Sequence, residues 1–365
     1  MHERARAIRA ELQIDSQVGR GTRVQVTWQS KNGGSAGIGA DTLPATPAAA
    51  GRGKDGLVMS GHEVNGLLAL VSPDRIHAHI RLLEGVRHPV VAPQALQQAA
   101  DYIHASLHSL KYKVEPHLFN EGGHEYQNII ATRHGVRHPG KRLLIVAHYD
   151  TVEDSPGADD NASGVAVLLE LARVLQPVEF DHTVQFVAVN LEEQQREGSL
   201  DEACLCGSRA LASDAAEQGW DIEGVIVLET VAYAGKQHAQ TTPDGLPLKL
   251  PEVGDFIGLV GNEASRGLVE AILQAIGRYR IPLPAVPFVV PGNGEMLPDT
   301  RRSDHAPFWD KGYQAVMVTD TANFRNPHYH KPTDTLDTLN LPFAAEVCRA
   351  VAATVLDLAG YAHTP

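Results

Sequence analysis

LLIVAHYDTVEDSPGADDNASGVAVLLELARVL, residues 143–175, carries the fold in miniature. Leu143 to Ala147 is an unbroken apolar run of strand length that stops at His148-Tyr149-Asp150. A loop rich in Gly, Asp, Asn and Ser follows, and Gly164 to Leu175 then has helical periodicity. A strand apolar on both faces is buried on both faces, the habit of a parallel sheet covered by helices. Ligands of such sheets collect beyond the carboxyl ends of the strands, where His148 and Asp150 stand.

The same pattern recurs on either side. Thr183 to Asn190 is a second apolar run, ending in Leu191-Glu192-Glu193. Gly224 to Leu228 is a third, ending in Glu229, and Ala315 to Val318 is a fourth. The spacing predicts helices over Asp74–Leu83, Pro93–Leu110 and Ala344–Ala359, and strands over Lys113–Phe119 and Asn128–Arg133. Strands separated by helices predict an α/β domain with a mostly parallel sheet, running from about Leu57 to the C-terminus. Upstream, Arg4–Leu12 reads as a short helix, Gly19–Thr22 as a turn and Arg23–Trp28 as a strand. Residues 31–56, rich in Gly, Ala, Pro and Thr, read as a flexible linker. The expected organisation is thus a piece at 1–30, a linker at 31–56 and a main domain at 57–365.

Composition narrows the function. The 365 residues are 43% hydrophobic and carry a formal net charge of −13, so a core is affordable and a phosphate backbone is repelled. Nucleic acid is therefore not an expected partner. No run approaches the roughly 18 apolar residues of a membrane span, so a membrane is not expected either. The first residues are charged and lack a following apolar region, so a cytoplasmic location is expected. Three cysteines give no disulfide framework, and Cys204 and Cys206 lack a zinc-ribbon spacing.

The strand ends carry the chemistry. His148 can offer one ring nitrogen to a metal while Asp150, two residues on, accepts the other N–H and fixes the tautomer. Gly157-Ala-Asp159-Asp160-Asn161-Ala-Ser-Gly164 holds more capping residues than one helix start needs, with glycine at both ends. Glu192 and Glu193 end a buried strand and need a positive partner. Neighbours in an extended chain face opposite ways, so one can bind a metal while the other moves protons. Glu229 ends another strand, and Asn326-Pro-His328-Tyr329-His330 adds two histidines, of which one suffices. Together these positions suit two divalent cations about 3.5–4 Å apart. Nitrogen and oxygen donors without thiolate suit zinc, with cobalt or manganese as substitutes.

AHYDT at 147–151, GADDNASG at 157–164, LEE at 191–193, VLE at 227–229, SDHAPF at 303–308 and YHKPTDT at 329–335 resemble, in order, the motifs of the M28 family of zinc peptidases. The resemblance spans about Leu57 to the C-terminus and implies a three-layer sandwich with a mostly parallel central mixed sheet flanked by helices. It implies two Zn2+ per chain, with His148 and Glu229 on one, Glu193 and His330 on the other, and Asp159 bridging. Glu192 becomes the general base, Asp150 the residue that orients His148, and Tyr329 an oxyanion donor. It also implies a cis peptide between Asp159 and Asp160, and Ser303, Asp304 and His305 near the mouth of the site. Two features depart from the family pattern. Glu229 stands where the best-known members have Asp, and Gln194–Cys206 is an insertion that can reshape the pocket.

The implied activity is hydrolysis of peptide bonds, foremost removal of an N-terminal residue, by a zinc-bridged hydroxide with Glu192 shuttling the proton. Carboxypeptidase-type hydrolysis, glutaminyl cyclisation with one zinc, and a non-catalytic binding module are the alternatives on this fold. Residues 1–28 also resemble the last helix, turn and strand of a sensor histidine kinase ATP-binding domain. The nucleotide-binding boxes of that family are missing, and the piece is expected to be idle.

Overall fold

A computed structural model describes residues 10–17, 21–28, 61–193, 203–243 and 249–362. The expected linker at 31–56 and most of the Gln194–Cys206 insertion lie outside them. The chain divides into two units, Met1–Gly56 with Thr241–Pro251, and Leu57–Gln240 with Glu252–Pro365.

In the first unit, β1 (Ala10–Gln17) pairs antiparallel with β2 (Gly21–Trp28), Ala10 opposite Trp28 and Gln17 opposite Gly21. The strand expected at Arg23–Trp28 is therefore present. Ala10 to Leu12 are not the end of a helix, because the ladder to β2 takes up their backbone groups. The rest of that expected helix, residues 4–9, and Gly19 of the expected turn lie outside the described residues.

The second unit is built on an eight-stranded sheet of order β10-β9-β11-β8-β5-β7-β4-β3. Its strands are β3 (Lys113–Glu121), β4 (His124–Arg133), β5 (His138–His148), β7 (His182–Val189), β8 (Asp221–Glu229), β9 (Ile257–Asn262), β10 (Ala285–Val290) and β11 (Ala315–Thr319). The central strands β7, β5, β8 and β11 run parallel, as do β9 and β10. β3, β4 and β7 are joined antiparallel, and β9 opposes β11. The short β6 (Glu179–Phe180) pairs apart with β12 (Tyr361–Ala362).

Alternation along the central strands sets the layers. Leu143, Ile145 and Ala147 of β5, with Phe186, Ile226 and Leu228, pack on one face. That face is covered by α1 (Gly61–Leu68), α2 (Pro73–Leu83), α3 (Pro93–Ser109), α4 (Gly164–Leu175), α6 (Arg266–Arg278) and α8 (Leu341–Ala359). Leu144, Val146, Val187 and Val227 point the other way, toward α5 (Cys206–Glu217) and α7 (His305–Asp310). The helices start on local signals. The Ser72 hydroxyl accepts the Arg75 N–H ahead of α2, and the Asn340 side chain accepts the Phe343 N–H ahead of α8.

Both edge strands carry a proline, Pro116 in β3 and Pro287 in β10, where a missing N–H is tolerated and sheet-to-sheet association is discouraged. Cys204 and Cys206, from which no pairing could be read, form a disulfide, and Cys348 is buried and free. Among the described residues no helix is long and apolar enough to cross a membrane.

Candidate metal centre and cleft

The carboxyl ends of the parallel strands supply the acids and imidazoles. β5 stops at His148, β8 stops at Glu229, and the chain after β7 runs through Asn190 and Leu191 to Glu192 and Glu193. The loop into α4 brings Asp160, and the loop after β11 brings His330. Three of these joints use left-handed backbone that non-glycine residues rarely adopt: φ is 55° at Leu191, 46° at Thr230 and 58° at His330. Such conformations persist where surrounding structure holds a functional group in place.

Asp160 sits between the histidines. Its Oδ1 lies 3.2 Å from His148 Nε2 and its Oδ2 lies 3.2 Å from His330 Nε2. Glu229 Oε2 is 3.6 Å from His148 Nε2, and Glu193 Oε1 is 3.0 Å from His330 Nε2. Two three-residue sets result, His148-Asp160-Glu229 and Asp160-Glu193-His330, each with its candidate ligand atoms within 4.8 Å of one another. A third set, His148-Glu192-Glu193, overlaps them. Both ring nitrogens of His148 and both oxygens of Asp160 are sealed from solvent yet make no hydrogen bond among the described residues. Buried polar atoms left without partners are costly. His148 Nε2 with Asp160 Oδ1, and Asp160 Oδ2 with His330 Nε2, each face one of the two sets and fit a cation there, while His148 Nδ1 faces Asp150; an all-nitrogen-and-oxygen donor set fits zinc.

The electrostatics agree. Burial pushes the Glu192 carboxyl well above its usual range; His148 opposes the shift, and Glu193 and Glu229 add to it. Burial and the Asp160 charge raise Glu193 to about 8 against the pull of His330. Burial works downward on His330, but Asp160 and Glu193 outweigh it and hold the ring at about 10. Asp160 moves the other way, because the two imidazoles overcome its burial and hold it well below the usual carboxylate range. Acids crowded around two imidazoles compete for protons, a need that dications meet instead.

Asp150 lies 3.5 Å from His148 Nδ1, on the side expected of an orienting carboxylate. It also accepts the backbone N–H groups of Glu192 and Glu193 at 3.1 and 3.0 Å, a tie that the sequence motif does not announce. Asp159, expected as the bridge, is turned away. Its carboxylate accepts the Ala232 N–H at 3.1 Å and the Asn326 amide at 2.9 Å, and burial and Asp320 push it well above the usual range. Asp160 holds the central place instead, and the cis peptide likewise falls one residue later, between Asp160 and Asn161. Asp334 accepts the N–H groups of both Asp159 and Asp160 and so holds this loop. Gly157 starts the loop at φ 57°, and a Cβ there would come within 2.2 Å of the Asp160 carbonyl.

Sequence reading passed over Arg87. It is 2% exposed and reaches no carboxylate among the described residues; its guanidinium donates to the carbonyls of Leu83, Gly85, Tyr149, Pro156 and Gly157. Burial lowers it to about 10, while Asp150, Asp160 and Asp334 pull the other way. A histidine–proline neighbourhood in a loop offered no periodic or motif signal for this role.

Above the acids lies a cleft of about 920 Å3 whose walls include Glu192, Glu193, Arg209, Arg302, Tyr329 and His330. The Tyr329 ring stacks on His330, centroids 3.9 Å apart, and burial and the Asp160 charge keep its phenol protonated well beyond the usual range. Ser303, Asp304 and His305 are not at the mouth. All three are buried, because they lead into α7 beneath the cleft. Ser303 donates to Glu229 at 2.6 Å, Asp304 is raised to about 7 by burial despite His148, and His305 Nε2 bonds the Thr300 carbonyl. His328 bonds Thr333 and stays out of the cluster.

Known proteins resemble this chain in sequence and in fold. The sequence model of peptidase family M28 matches residues 128–355. The uncharacterized protein YfbL of Escherichia coli is 34% identical over 292 residues, covering 77% of this chain and 86% of YfbL. Leucine aminopeptidase 1 of Coccidioides posadasii is 28% identical over 283 residues, and the matched part is 75% of this chain but 65% of that protein. The solved glutaminyl cyclase of Porphyromonas gingivalis has the same fold, with a TM-score of 0.61 at 21% identity over 79% of this chain and 99% of that one.

Proposed function

Because the chain belongs to peptidase family M28, we propose that it is a zinc-dependent aminopeptidase that binds two cations through His148, Asp160, Glu193, Glu229 and His330. The observation that carries this reading is the single carboxylate of Asp160 shared by two three-ligand sets at the foot of an open cleft. Bound cations would supply a water of lowered pKa and would polarise the carbonyl of the scissile bond.

The remaining steps belong to the chain's own groups. Glu192 is buried, lines the cleft and holds protons more readily than an ordinary glutamate. Those are the properties of a group that takes a proton from the attacking water and passes it to the leaving amine. Asp150 keeps both His148 and the Glu192-Glu193 backbone in register. Tyr329 retains its phenolic proton and can donate it to the oxyanion that forms on the carbonyl. Leucine aminopeptidase 1 among the relatives supports cleavage at the N-terminal side. A glutaminyl cyclase shares the fold, but one cation would leave the second ligand set without a purpose.

Replacing Glu192 with Gln should leave about two zinc ions per chain by elemental analysis while lowering turnover of aminoacyl substrates at least ~10²-fold, as for loss of a general base. Near-normal turnover at full metal content would remove Glu192 from the role. Full activity in metal-free protein would end the reading altogether.

A further inference from the structure

The charges of the cleft are unevenly satisfied. Of its acids outside the metal cluster, Asp310 and Glu295 are held within the wall, and Asp299 pairs loosely with Arg302 at 3.5 Å. Asp310 takes both prongs of Arg301 at 2.8 and 2.9 Å, and Glu295 accepts the Asn293 N–H that closes its own turn. Arg301 is also fixed to the Asn293 carbonyl and so belongs to the wall. Arg302, next in sequence, is placed differently. Its Nη1 meets Asn323 at 3.0 Å and Asp299 at 3.5 Å, and its Nη2 meets the Tyr329 hydroxyl at 3.5 Å. A guanidinium has five N–H donors. The Nε–H and one Nη2–H of Arg302 therefore have no protein acceptor among the described residues, and the side chain is 44% exposed. The exposed Arg209 is a second cation on the cleft wall, and among the described residues it gives one hydrogen bond, from Nε to the Cys204 carbonyl at 3.3 Å. Tyr329 links Arg302 to the metal cluster, since its ring lies on His330. A donor fork on the wall of the same cleft as Glu192, Glu193 and His330 matches a planar anion in geometry as well as charge.

We propose that the cleft selects substrates carrying a carboxylate next to the scissile bond and that Arg302 is the residue that docks it. This rests on the peptidase reading above. The carboxylate can come from an acidic side chain or from the C-terminus of a dipeptide, and both present the same group to Arg302.

Two peptide pairs separate the sources. Glu-Gly-amide against Gln-Gly-amide tests the side chain, and Leu-Gly against Leu-Gly-amide tests the terminus. Binding to zinc-loaded Glu192→Gln protein is measured by calorimetry, and turnover by the zinc-loaded natural chain is measured beside it. The carboxylate-bearing member of one pair should bind about 10- to 100-fold tighter, the span expected for hydrogen bonds to a charged partner. Arg302→Met should bring that ratio to within about 2-fold, and Arg302→Lys should restore part of it, since it keeps the charge but not the fork. The pair that responds identifies the source. Equal binding within both pairs, or a preference that survives Arg302→Met, overturns the proposal. Absence of turnover on all four peptides would instead count against the peptidase reading, because the binding comparison does not depend on catalysis.

Discussion

Asp160 offers one oxygen to each histidine, and a carboxylate so placed is the only side chain in the cluster that serves both ligand sets. Its neighbour Asp159 serves the fold, holding Ala232 and Asn326. The two residues therefore differ sharply in what their amides would do. Asp160→Asn should lower zinc content after dialysis to one ion per chain or fewer and abolish measurable turnover. Asp159→Asn keeps an acceptor for the Ala232 N–H and should retain both zinc ions, with activity within about 10-fold, the lower end of the range for groups behind metal ligands. Equal zinc loss in the two variants, read by mass spectrometry of the metal content, would show that the bridge is misassigned. That His148, Glu193, Glu229 and His330 would come together at the strand ends was legible from their motifs. Which of two adjacent aspartates faces inward was not, because it depends on how the backbone turns after Gly157 and on the grip of Asp334, 174 residues away on the Asp160 N–H.

At the level of elements, the buried parallel strands announced themselves as apolar runs because both of their faces are covered. β9 and β10 did not. Ile257–Asn262 contains two glycines, and Ala285–Val290 contains Pro287, so neither reads as a strand until its place beside the sheet edge is known. The connections were least legible, and Arg87 shows why they matter. From one buried position it gathers carbonyls of the loop after α2, the end of β5 and the loop that leads to Asp160. Arg87→Met should preserve volume but release those carbonyls, and zinc affinity in competition with a chromophoric chelator should fall about 10- to 100-fold. Arg87→Lys should recover little, because one ammonium cannot reach five acceptors in a plane. Zinc affinity unchanged in Arg87→Met would mean that the loops hold their shape without the guanidinium.

Over the whole molecule, a net charge of −13 is concentrated in part at one point, where Asp160, Glu192, Glu193 and Glu229 converge under the cleft. Metal and pH should therefore act on stability together. Without cations, Glu193 at about 8 and Asp304 at about 7 hold protons that their unfolded counterparts have already lost, and His330 at about 10 does the same above the ordinary histidine range. The folded state then binds more protons than the unfolded state between about pH 5 and 8, so chelated protein should lose stability as pH rises through that window. Asp160, held low, exerts its opposite effect only in strong acid. Zinc displaces these protons, so its binding strengthens over the same window. With zinc at about 100 times its dissociation constant the stabilisation is about 2.7 kcal/mol, or roughly 5 °C in Tm for a domain of this size. Thermal melts with zinc or with chelator should thus diverge from pH 5.5 to pH 8, the chelated curve falling and the gap reaching about 5 °C or more. Parallel curves across that range would show that the buried acids are not competing with protons for the cations, and the shared-carboxylate centre would have to be redrawn.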